Sequence, residues 1–407
     1  MNISFIGAGK LGLPLASLIA ENNKVLLIDK NQALINNLKE KRFNFNEKDL
    51  NKYIKKNYDN FLDFTSSYEE IFSQTSETII LVNTQLGEDG YSDEIVIDVF
   101  NEICEHFKTF QGEPHHFILS STVLPGTIDS IINLLEKKTF KKYQKDFHFS
   151  YVPDFVKLGS VIHDFKYPEF FLVGSDSDEA FKRCLLAWNK VHQNNPPIRN
   201  LSLVETEIAK VSLNAYIVNK ISFANHIQLI SSSLGANPKN ITDVIGLDSR
   251  IGNKFFNPGT PYGGTCFPRD AIAFEKFSQQ QGFEALNMTF SSKVNEEILN
   301  LIYSKINSAS SVLILGISFK QDTDVTVGSP SLNLVDKLLP DEKKVFFYDF
   351  MVTSLDEDRY SSLSTSKDIE ELIDSSEAVV IMHPDERFKS LNFKEKIVVD
   401  PWGITLN

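Results

Sequence analysis

The chain starts with a short apolar segment that runs directly into a glycine-rich turn. Residues 2–6 are followed by Gly7-Ala-Gly-Lys-Leu-Gly12 and then by a helical pattern to about Glu21. A lone G-x-G-x-x-G is weak evidence, but this one lies between a predicted strand and a predicted helix, as a dinucleotide site requires. Glycines there let a pyrophosphate approach the backbone, and the helix N-terminus favours its charge.

The next apolar segment, residues 25–28, ends at Asp29. A carboxylate at that point can accept hydrogen bonds from both ribose hydroxyls and repels a 2′-phosphate, so it favours NAD over NADP. We therefore predict NAD as the cofactor. The predicted contacts in this region are Gly7, Gly9, Lys10, Leu11, Gly12 and Asp29.

Strand-like and helix-like patterns then alternate as far as an Asn-Asn-Pro-Pro linker at residues 194–197. Predicted strands are 78–83, 117–121, 147–152 and 170–173, and predicted helices are 95–107, 127–136 and 178–191. Such alternation is typical of a parallel sheet with helices on both faces.

Residues 204–234 contain neither Gly nor Pro and carry apolar residues at helical spacing, until Gly235 stops the pattern. A helix of that length spans roughly 45 Å at 1.5 Å per residue, which suits a spine joining domains or subunits. More helix is predicted at 238–245, 271–281 and 291–308. A second α/β pattern follows, with strands at 311–315, 344–348, 378–382 and 397–399 and helices at 332–339 and 367–373. The predicted fold class is α/β, with two Rossmann-like doubly wound domains joined by a long central helix and an all-α middle domain.

Composition excludes several classes of partner. The formal charge of −13 argues against nucleic acid, which needs a basic surface. Three cysteines make no disulfide framework, and the eight histidines show no ligand-like spacing, so we predict no metal. The apolar stretch at 11–20 is too short to cross a bilayer, and no basic leader precedes the first strand. We expect a cytoplasmic protein that does not bind membranes.

The segment around Cys266 predicts a reactive thiol. Gly263 and Gly264 remove side-chain bulk just before Cys266, and Pro268 suits the first turn of a helix. A cysteine at a helix N-terminus is favoured as thiolate, and Arg269 adds positive potential. The other cysteines, Cys104 and Cys184, lie in apolar helical patterns and are predicted to be structural.

Gly263-Gly-Thr-Cys-Phe-Pro-Arg-Asp270 resembles the active-site signature of the UDP-glucose/GDP-mannose dehydrogenase family, in which Gly-Gly-Ser-Cys-Phe-Pro-Lys-Asp is usual. Further segments resemble the family in the same order, from Met1 to at least Pro330. They are Asn83-Thr84 with Asp89-Gly90, Ser121-Thr-Val-Leu-Pro-Gly-Thr127, Lys210 and Asn214 with residues 220–225, Asp248-Ser-Arg-Ile-Gly252, and Phe319-Lys320 through Ser329-Pro330.

The resemblance implies oxidation of the C6 alcohol of a sugar nucleotide, UDP-glucose first among them, to a carboxylate with two NAD. Cys266 would add to the intermediate aldehyde to give a thiohemiacetal and then a thioester. Lys210 would stabilise the oxyanion, with Asn214 as a donor, while Asp270 would position Lys210 or move a proton. Thr122 would hold a water or the nicotinamide, and Asp154 would assist hydrolysis.

The resemblance also extends the list of binding residues. Thr84 and Thr122 join the cofactor contacts. The implied substrate contacts are Phe155, Val156, Lys157, Leu158, Lys210, Asn214, Arg250, Phe255, Gly263, Phe267 and Lys320. Arg250 would reach the substrate of a neighbouring subunit, so a homodimer or higher homo-oligomer is implied. The expected domains are 1–197 for NAD, 198–308 for dimerisation and 309–407 for the nucleotide sugar.

Several positions depart from the family pattern, among them Pro261 in place of a frequent Gly and Glu47-Lys-Asp49 in place of Glu-Pro-Gly. Asp154 and Leu158 stand where two Glu are usual, and Val327 stands where Arg is frequent. Asp154 is shorter than Glu by about 1.5 Å, and Leu158 cannot transfer a proton, so these two changes affect thioester hydrolysis. Val327 indicates the loss of a nucleotide contact. Together these departures indicate a divergent member.

Three alternatives remain open. The substrate could be GDP-mannose or another nucleotide hexose. The chain could be a two-domain hydroxyacid dehydrogenase with a single hydride transfer, although such an enzyme needs neither Cys266 nor the second α/β unit. It could also be an impaired homologue that binds NAD and sugar nucleotide without turnover.

Overall fold

The computed structural model describes residues 1–42, 47–87, 90–157, 159–355 and 357–405. The chain divides into two compact units, Met1–Val211 and Ser212–Asn407. Within the described ranges, no helix is long and apolar enough to cross a membrane.

The first unit is built on an eight-stranded sheet. Its strands are β1 (Asn2–Ile6), β2 (Lys24–Ile28), β3 (Leu62–Thr65), β4 (Glu77–Ile80), β7 (His115–Leu119), β8 (Phe147–Tyr151), β9 (Phe171–Ser175) and β10 (Ile198–Leu201), and a separate hairpin holds β5 (Gln85–Gly87) and β6 (Gly90–Ser92). The order in the large sheet is β10-β9-β8-β7-β4-β1-β2-β3. The reversal of strand order on either side of β1 is that of a doubly wound fold.

One pair of strands corrects the expectation of an all-parallel sheet. β8 and β9 run antiparallel, with Tyr151 opposite Gly174, whereas the other neighbours in this sheet are parallel. The connection between β8 and β9 contains the six-residue helix α7 (Val161–Lys166). It re-enters the sheet at the end where β8 stopped, so β9 runs back along β8 instead of crossing over to lie parallel to it.

Helices cover both faces of this sheet. They are α1 (Gly12–Ile19), α2 (Gln32–Lys39), α3 (Leu50–Asn57), α4 (Glu70–Gln74), α5 (Glu94–Phe107), α6 (Thr127–Thr139), α7 and α8 (Asp178–Ala187). Successive residues of β1 point to opposite faces, so Phe5 joins one apolar cluster with α1 and Ile6 joins the other with α5. Strands buried on both faces need apolar residues throughout, which is why they read as short continuous apolar runs.

The second unit contains the remaining helices and a smaller parallel sheet. The helix α9 (Leu203–Ser233) runs across the division between the units, and α10 (Pro238–Gly246), α11 (Phe267–Gln280) and α12 (Leu286–Ile306) follow. The α/β part holds β11 (Ser311–Leu315), α13 (Pro330–Leu338), β12 (Lys344–Tyr348), α14 (Ile369–Asp374), β13 (Ala378–Ile381) and β14 (Ile397–Val399). Its strand order is β12-β11-β13-β14, and all three pairs are parallel.

The predicted fold class is confirmed: the long central helix and both α/β sheets are present. α9 lies within one residue of the predicted 204–234 at each end. The predicted end of the strand at 78–83 is wrong, because β4 stops at Ile80 and the chain leaves the sheet there.

Candidate active site

The glycine-rich turn after β1 has the shape that a dinucleotide needs. Gly7 has a positive φ of 107°, and its N–H donates to Ile28 O at 2.8 Å. A Cβ on Gly12 would fall 2.1 Å from Gly7 O, so only glycine fits there. No described atom lies within 4 Å of a Cβ built on Gly9, which leaves open space above the backbone. Gly12 and Gly7 thus close the turn, and Gly9 keeps it accessible.

Asp29 is held at the end of β2 by two backbone N–H groups. Its Oδ2 accepts from Ala8 at 2.8 Å, and its Oδ1 accepts from Asn31 at 2.8 Å. A carboxylate can accept about four hydrogen bonds, so these contacts orient it and leave capacity for ribose hydroxyls. The first turn of α1 carries no acidic residue among those described, so nothing there repels a pyrophosphate. These residues fit a bound NAD.

The other predicted cofactor residues lie at the carboxyl ends of neighbouring strands. Thr84 follows β4 and Thr122 follows β7, and both are buried. Ser121 Oγ accepts from Val82 N and donates to Val82 O, each at 2.9 Å, so the two strand ends are tied together. Parallel strands end at one edge of a sheet, where such folds bind nucleotides. Lys10 is exposed and Leu11 half-buried; Asp89 lies outside the described residues.

Lys210 is a buried lysine on α9, with 6% of its surface exposed. Its Nζ donates to the main-chain O of Asp154 and lies 4.7 Å from the centre of the Phe155 ring. The Phe155 ring packs in turn on Phe170, with centroids 4.8 Å apart. Lys210 is therefore directed at the segment after β8 and does not lie on a solvated helix face.

That segment contains the predicted substrate residues 155–158. Val156 is half-buried and packs on the apolar core, and Lys157 is exposed. The N–H of Lys157 donates to Asp164 Oδ2 at 2.9 Å, which fastens the segment to α7. Leu158 lies outside the described residues.

In the second unit, Cys266 is the N-cap residue of α11 and is exposed. Its carbonyl accepts from Asp270 N at 2.8 Å, and Pro268 lies in the first turn. The helix thus begins four residues earlier than predicted, and the thiol lies at its N-terminus. Cys104 in α5 and Cys184 in α8 are buried, as predicted.

Gly263 and Gly264 have a role that the sequence did not indicate. A Cβ on Gly263 would lie 2.5 Å from Gly328 O, and one on Gly264 would lie 2.6 Å from the Phe319 ring. Gly264 also has a φ of 87°, and its N–H donates to Gly328 O at 2.8 Å. The glycines make room for the loop between β11 and α13, and this contact fixes the start of the cysteine segment.

Asp270 is almost fully buried, at 1% exposed. Its Oδ2 accepts from Asn214 Nδ2, and its Oδ1 accepts from Arg269 Nε at 3.3 Å. The positive charge of Arg269 is therefore directed at Asp270. Asn214, which extends from α9, is held by the first turn of the cysteine helix.

Two asparagines that were not among the predicted site residues hold the loop before Cys266. Asn225 Oδ1 accepts from Gly259 N at 2.9 Å, and its Nδ2 donates to Thr260 O at 3.1 Å. Asn295 makes the same pair of contacts with the N–H and carbonyl of Tyr262, at 2.7 and 3.1 Å. Asn225 lies in a segment that resembles the family, whereas nothing in the sequence marks Asn295.

The remaining predicted substrate residues lie at the surface of the second unit. Arg250 is exposed and its guanidinium is paired with Asp248. Phe255 has a φ of 60°, rare for a large side chain, and its ring centre lies 6.1 Å from that of Phe267. Lys320 is half-buried, with Nζ 5.6 Å from the Phe319 ring centre. Among the residues that the structure describes, no cluster of His, Cys, Asp and Glu could hold a metal ion.

The glycine turn and the doubly wound sheet define a dinucleotide-binding protein, and the exposed thiol at the start of α11 adds a candidate nucleophile. Three family models match the chain in order: the UDP-glucose/GDP-mannose dehydrogenase NAD-binding domain at residues 1–192, the central domain at 204–297 and the UDP-binding domain at 313–406. The chain belongs to the UDP-glucose/GDP-mannose dehydrogenase family.

Individual relatives are distant but match over nearly the whole chain. A UDP-glucose 6-dehydrogenase of Rickettsia bellii is 27% identical over 407 residues, covering 97% of this chain and 92% of the relative. The solved structure of a UDP-glucose dehydrogenase from Pyrobaculum islandicum has a TM-score of 0.89 at 26% identity, covering 98% of this chain and 94% of the other. That of a UDP-D-ManNAc dehydrogenase from Pyrococcus horikoshii has a TM-score of 0.85 at 22% identity, covering 99% and 96%, and shows the same fold.

The protein is thus an NAD-dependent nucleotide-sugar dehydrogenase and a divergent member of its family. The predicted family and cofactor are confirmed, and so is the prediction of a nucleotide-sugar dehydrogenase.

Proposed function

We propose that this protein oxidises the C6 alcohol of UDP-glucose to the uronate through a covalent intermediate on Cys266. The observation that carries the proposal is the placement of an exposed thiol at the N-terminus of α11, in a loop held by Asn225, Asn295 and Gly328. An exposed thiol at a helix N-terminus is in an environment that favours nucleophilic thiolate. The similarity to UDP-glucose 6-dehydrogenases supports the choice of sugar.

When NAD is bound, it supplies the acceptor for the two electrons removed in each of two oxidations. Cys266 Sγ adds to the carbonyl carbon of the C6 aldehyde, which makes that carbon tetrahedral and leaves it with a hydrogen to lose. Oxidation of this thiohemiacetal gives a thioester. Water then attacks the thioester, the C–S bond breaks, and the thiol is restored. In sum, one alcohol, one water and two NAD⁺ give one carboxylate, two NADH and three protons.

The charged and polar side chains are assigned to separate tasks. Lys210 stabilises negative charge on the C6 oxygen, and Asn214 donates a hydrogen bond to it. Asp270 holds Asn214 and Arg269, so it positions the donor next to the cysteine helix. Thr122 orients the nicotinamide or a water at the end of β7, and Asp154 assists the water that releases the thioester.

Cofactor and substrate contacts are proposed for the residues that surround these groups. NAD is held by the turn of Gly7, Gly9, Lys10, Leu11 and Gly12, with Asp29, Thr84 and Thr122. The nucleotide sugar is held by Phe155, Val156, Lys157, Leu158, Arg250, Phe255, Gly263, Phe267 and Lys320, together with Lys210 and Asn214.

We propose that residues 1–197 bind NAD, 198–308 form a dimer and 309–407 bind the nucleotide, a division that the three matched segments support. Tyr216, Phe223 and Ile230 recur every seven residues along α9, and each is at least half exposed. A row of large apolar side chains at heptad spacing suits packing against a second copy of the chain. Arg250 would then contribute to the partner's site.

The proposal is tested by incubating the protein with NAD and a panel of UDP-glucose, UDP-N-acetylmannosamine and GDP-mannose. UDP-glucose should give two NADH per sugar and UDP-glucuronate as product. A preference for GDP-mannose would select the alternative nucleotide sugar, because the same fold serves several sugars. Binding without NADH across the panel would contradict turnover and indicate an impaired homologue.

A further inference from the structure

The helix α6 begins immediately after the segment that carries Thr122, and its N-cap residue is Gly126. Glycine has no side chain to accept from the free N–H groups of a first helical turn. Gly126 has a φ of 93°, so a residue with a capping side chain would be strained at this position. The first turn of α6 therefore needs an acceptor from elsewhere in the fold.

Glu207 of α9 supplies it. Its Oε2 accepts from Gly126 N at 2.8 Å, and its Oε1 accepts from Ile128 N at 2.9 Å. The residue is 1% exposed and lies 79 and 81 positions along the chain from its two donors. A carboxylate at a helix N-terminus is also stabilised by the helix dipole. One side chain thus completes a helix that has no cap of its own.

Glu207 lies three residues before Lys210, and residues at that spacing share a face of a helix. Lys210 Nζ in turn donates to Asp154 O and packs on the Phe155 ring. The face of α9 that carries Lys210 is therefore attached at two points: by Glu207 to the Thr122 segment, and by Lys210 to the segment after β8.

We propose that Glu207 is a positioning residue of the reaction, whose carboxylate fixes the turn of α9 that carries Lys210 against the segment that carries Thr122. This inference rests on the proposed function, because it assigns a role relative to Lys210 and Thr122. The two hydrogen bonds that Glu207 accepts from Gly126 and Ile128 are called the Glu207 clamp. A displacement of about 1 Å at a reacting group can cost a hundredfold in rate, so loss of the clamp lowers turnover as well as stability.

The protonation state of Glu207 controls this contact. Burial raises the pKa of Glu207 to about 7, although the N–H groups of Gly126 and Ile128 act in the opposite direction, and the exposed Asp129 in the first turn of α6 raises it slightly. Two N–H donors fit a carboxylate with two acceptor oxygens. In the protonated acid, the O–H would point at one of the two N–H donors, and one hydrogen bond would be lost. Both hydrogen bonds therefore form only above this pKa, where Glu207 is a carboxylate.

The test is steady-state kinetics of Glu207→Gln with NAD and the accepted nucleotide sugar, measured from pH 6 to pH 8. Gln has one acceptor oxygen and imitates the protonated acid at all pH values. We expect kcat to fall about tenfold or more at pH 8, with a smaller rise in KM for NAD, because Glu207 fixes the Thr122 segment but does not contact the glycine turn or Asp29, which hold the rest of the cofactor. The ratio of wild-type kcat to the kcat of Glu207→Gln should be smaller at pH 6, where Glu207 of the wild type is itself protonated.

Two further variants separate the clamp from a general effect of charge or folding. Asp129→Asn removes a charge from the same helix turn, at an exposed residue outside the proposed site, and should keep kcat within about twofold of wild type. Glu207→Asp keeps a titrating carboxylate and should retain the pH dependence of kcat at reduced turnover. If Glu207→Gln does not fold, this variant carries the test.

Unchanged kcat and pH profile in Glu207→Gln, even with a lower melting temperature, would reduce Glu207 to a helix cap and overturn the proposal. An equal loss in Asp129→Asn would overturn it as well, as would a Glu207→Asp variant whose kcat no longer depends on pH. Wild-type protein that forms no NADH with any nucleotide sugar would instead refute the proposed function itself.

Discussion

Gly7 after β1 and Gly316 after β11 form the same turn in two different sheets. Both have a positive φ, 107° and 92°, and each donates its N–H to the last residue of the neighbouring strand at 2.8 Å, Ile28 in one case and Tyr348 in the other. An aspartate follows that strand in both sheets. Asp29 accepts from Ala8 N at 2.8 Å, and Asp349 accepts from Ile317 N at 2.9 Å.

The two turns differ in what else the aspartate does. Asp349 Oδ2 also accepts from the N–H and the hydroxyl of Ser318, at 3.0 and 2.9 Å, and its side chain is 4% exposed. Asp29 accepts from the N–H groups of Ala8 and Asn31, and it lies beside the open space at Gly9. One carboxylate has capacity for a ligand, and the other is committed to the fold.

The chain after each turn differs too. Helix α1 begins at Gly12, five residues after Gly7, whereas α13 begins at Pro330, fourteen residues after Gly316. The longer loop carries Phe319 and Gly328, which pack on Gly263 and Gly264 before the cysteine. The same turn is therefore open to the proposed cofactor in the first unit, whereas in the second it begins the loop that supports the Cys266 segment.

The largest expected effect is on the first turn. Gly12→Ala places a Cβ 2.1 Å from Gly7 O, so the backbone must move. We expect a loss of about 3 kcal/mol or more in unfolding free energy and a large loss of NAD affinity. Gly9→Ala has open space at its Cβ and should keep its stability while weakening NAD binding. Denaturant unfolding measures the stability of the two variants, and calorimetric titration measures their affinity for NAD. If Gly9→Ala lost as much stability as Gly12→Ala, the turn would not be open at Gly9.

The second prediction tests the supporting loop. Gly264→Ala combines a φ of 87° with a contact of 2.6 Å to the Phe319 ring and should cost about 2–4 kcal/mol, with lost turnover. Gly282 has a similar φ of 83° but no described atom within 4 Å of its Cβ. Gly282→Ala should therefore cost only about 1 kcal/mol and keep its turnover. Equal losses of stability for the two variants in thermal unfolding would show that the contact between Gly264 and the Phe319 ring does not contribute to stability.

The third prediction exchanges the two aspartates for asparagine. Asp29→Asn should raise KM for NAD about tenfold, with a small change in stability, because a ribose contact is weakened. Asp349→Asn should cost about 1–3 kcal/mol in unfolding free energy, because buried donors lose their acceptor, and should leave KM for NAD unchanged. The division of roles is wrong if the Asp349 variant loses NAD affinity as strongly as the Asp29 variant.

The smallest expected effect is on acid stability. Burial lowers the pKa of His115 in the first unit to about 3 and also lowers that of His383 in the second, where Ser318 O and Asp349 partly compensate. An unfolded histidine binds its proton near pH 6.5, so stability is lost as pH falls below that value. His115 should account for about 2 kcal/mol of that loss at pH 5.

Unfolding of His115→Phe between pH 7 and pH 5 checks this. That variant should have a flatter dependence on pH than wild type, and His383→Phe should flatten it less. The reverse order would mean that the second unit sets the acid sensitivity.

Local patterns predicted the parts of the molecule that depend on neighbouring residues. The glycine turn, the limits of α9 and the strand at 311–315 follow from short-range spacing, and the structure agrees with them. The antiparallel pair of β8 and β9 depends on the path of a connection, which residue types do not record.

Contacts between distant segments account for the rest. The fit of Gly264 against Phe319 and the hydrogen bonds from Gly126 and Ile128 to Glu207 join residues far apart in sequence. Glu207 is only an acidic residue within a largely apolar helix until the fold brings α6 to it. Sequence therefore identified the candidate chemistry at Cys266 but not the residues that hold its surroundings in place.

The most direct test of the covalent mechanism counts NADH and uronate formed by wild type and by Cys266→Ser from UDP-glucose. Wild type should release two NADH per uronate, and so should Cys104→Ala, which removes a buried thiol in α5. Cys266→Ser should form no uronate and at most a slow trace of aldehyde, because a serine hydroxyl is a far weaker nucleophile. Two NADH per sugar at the wild-type rate in Cys266→Ser would contradict the covalent role of this thiol.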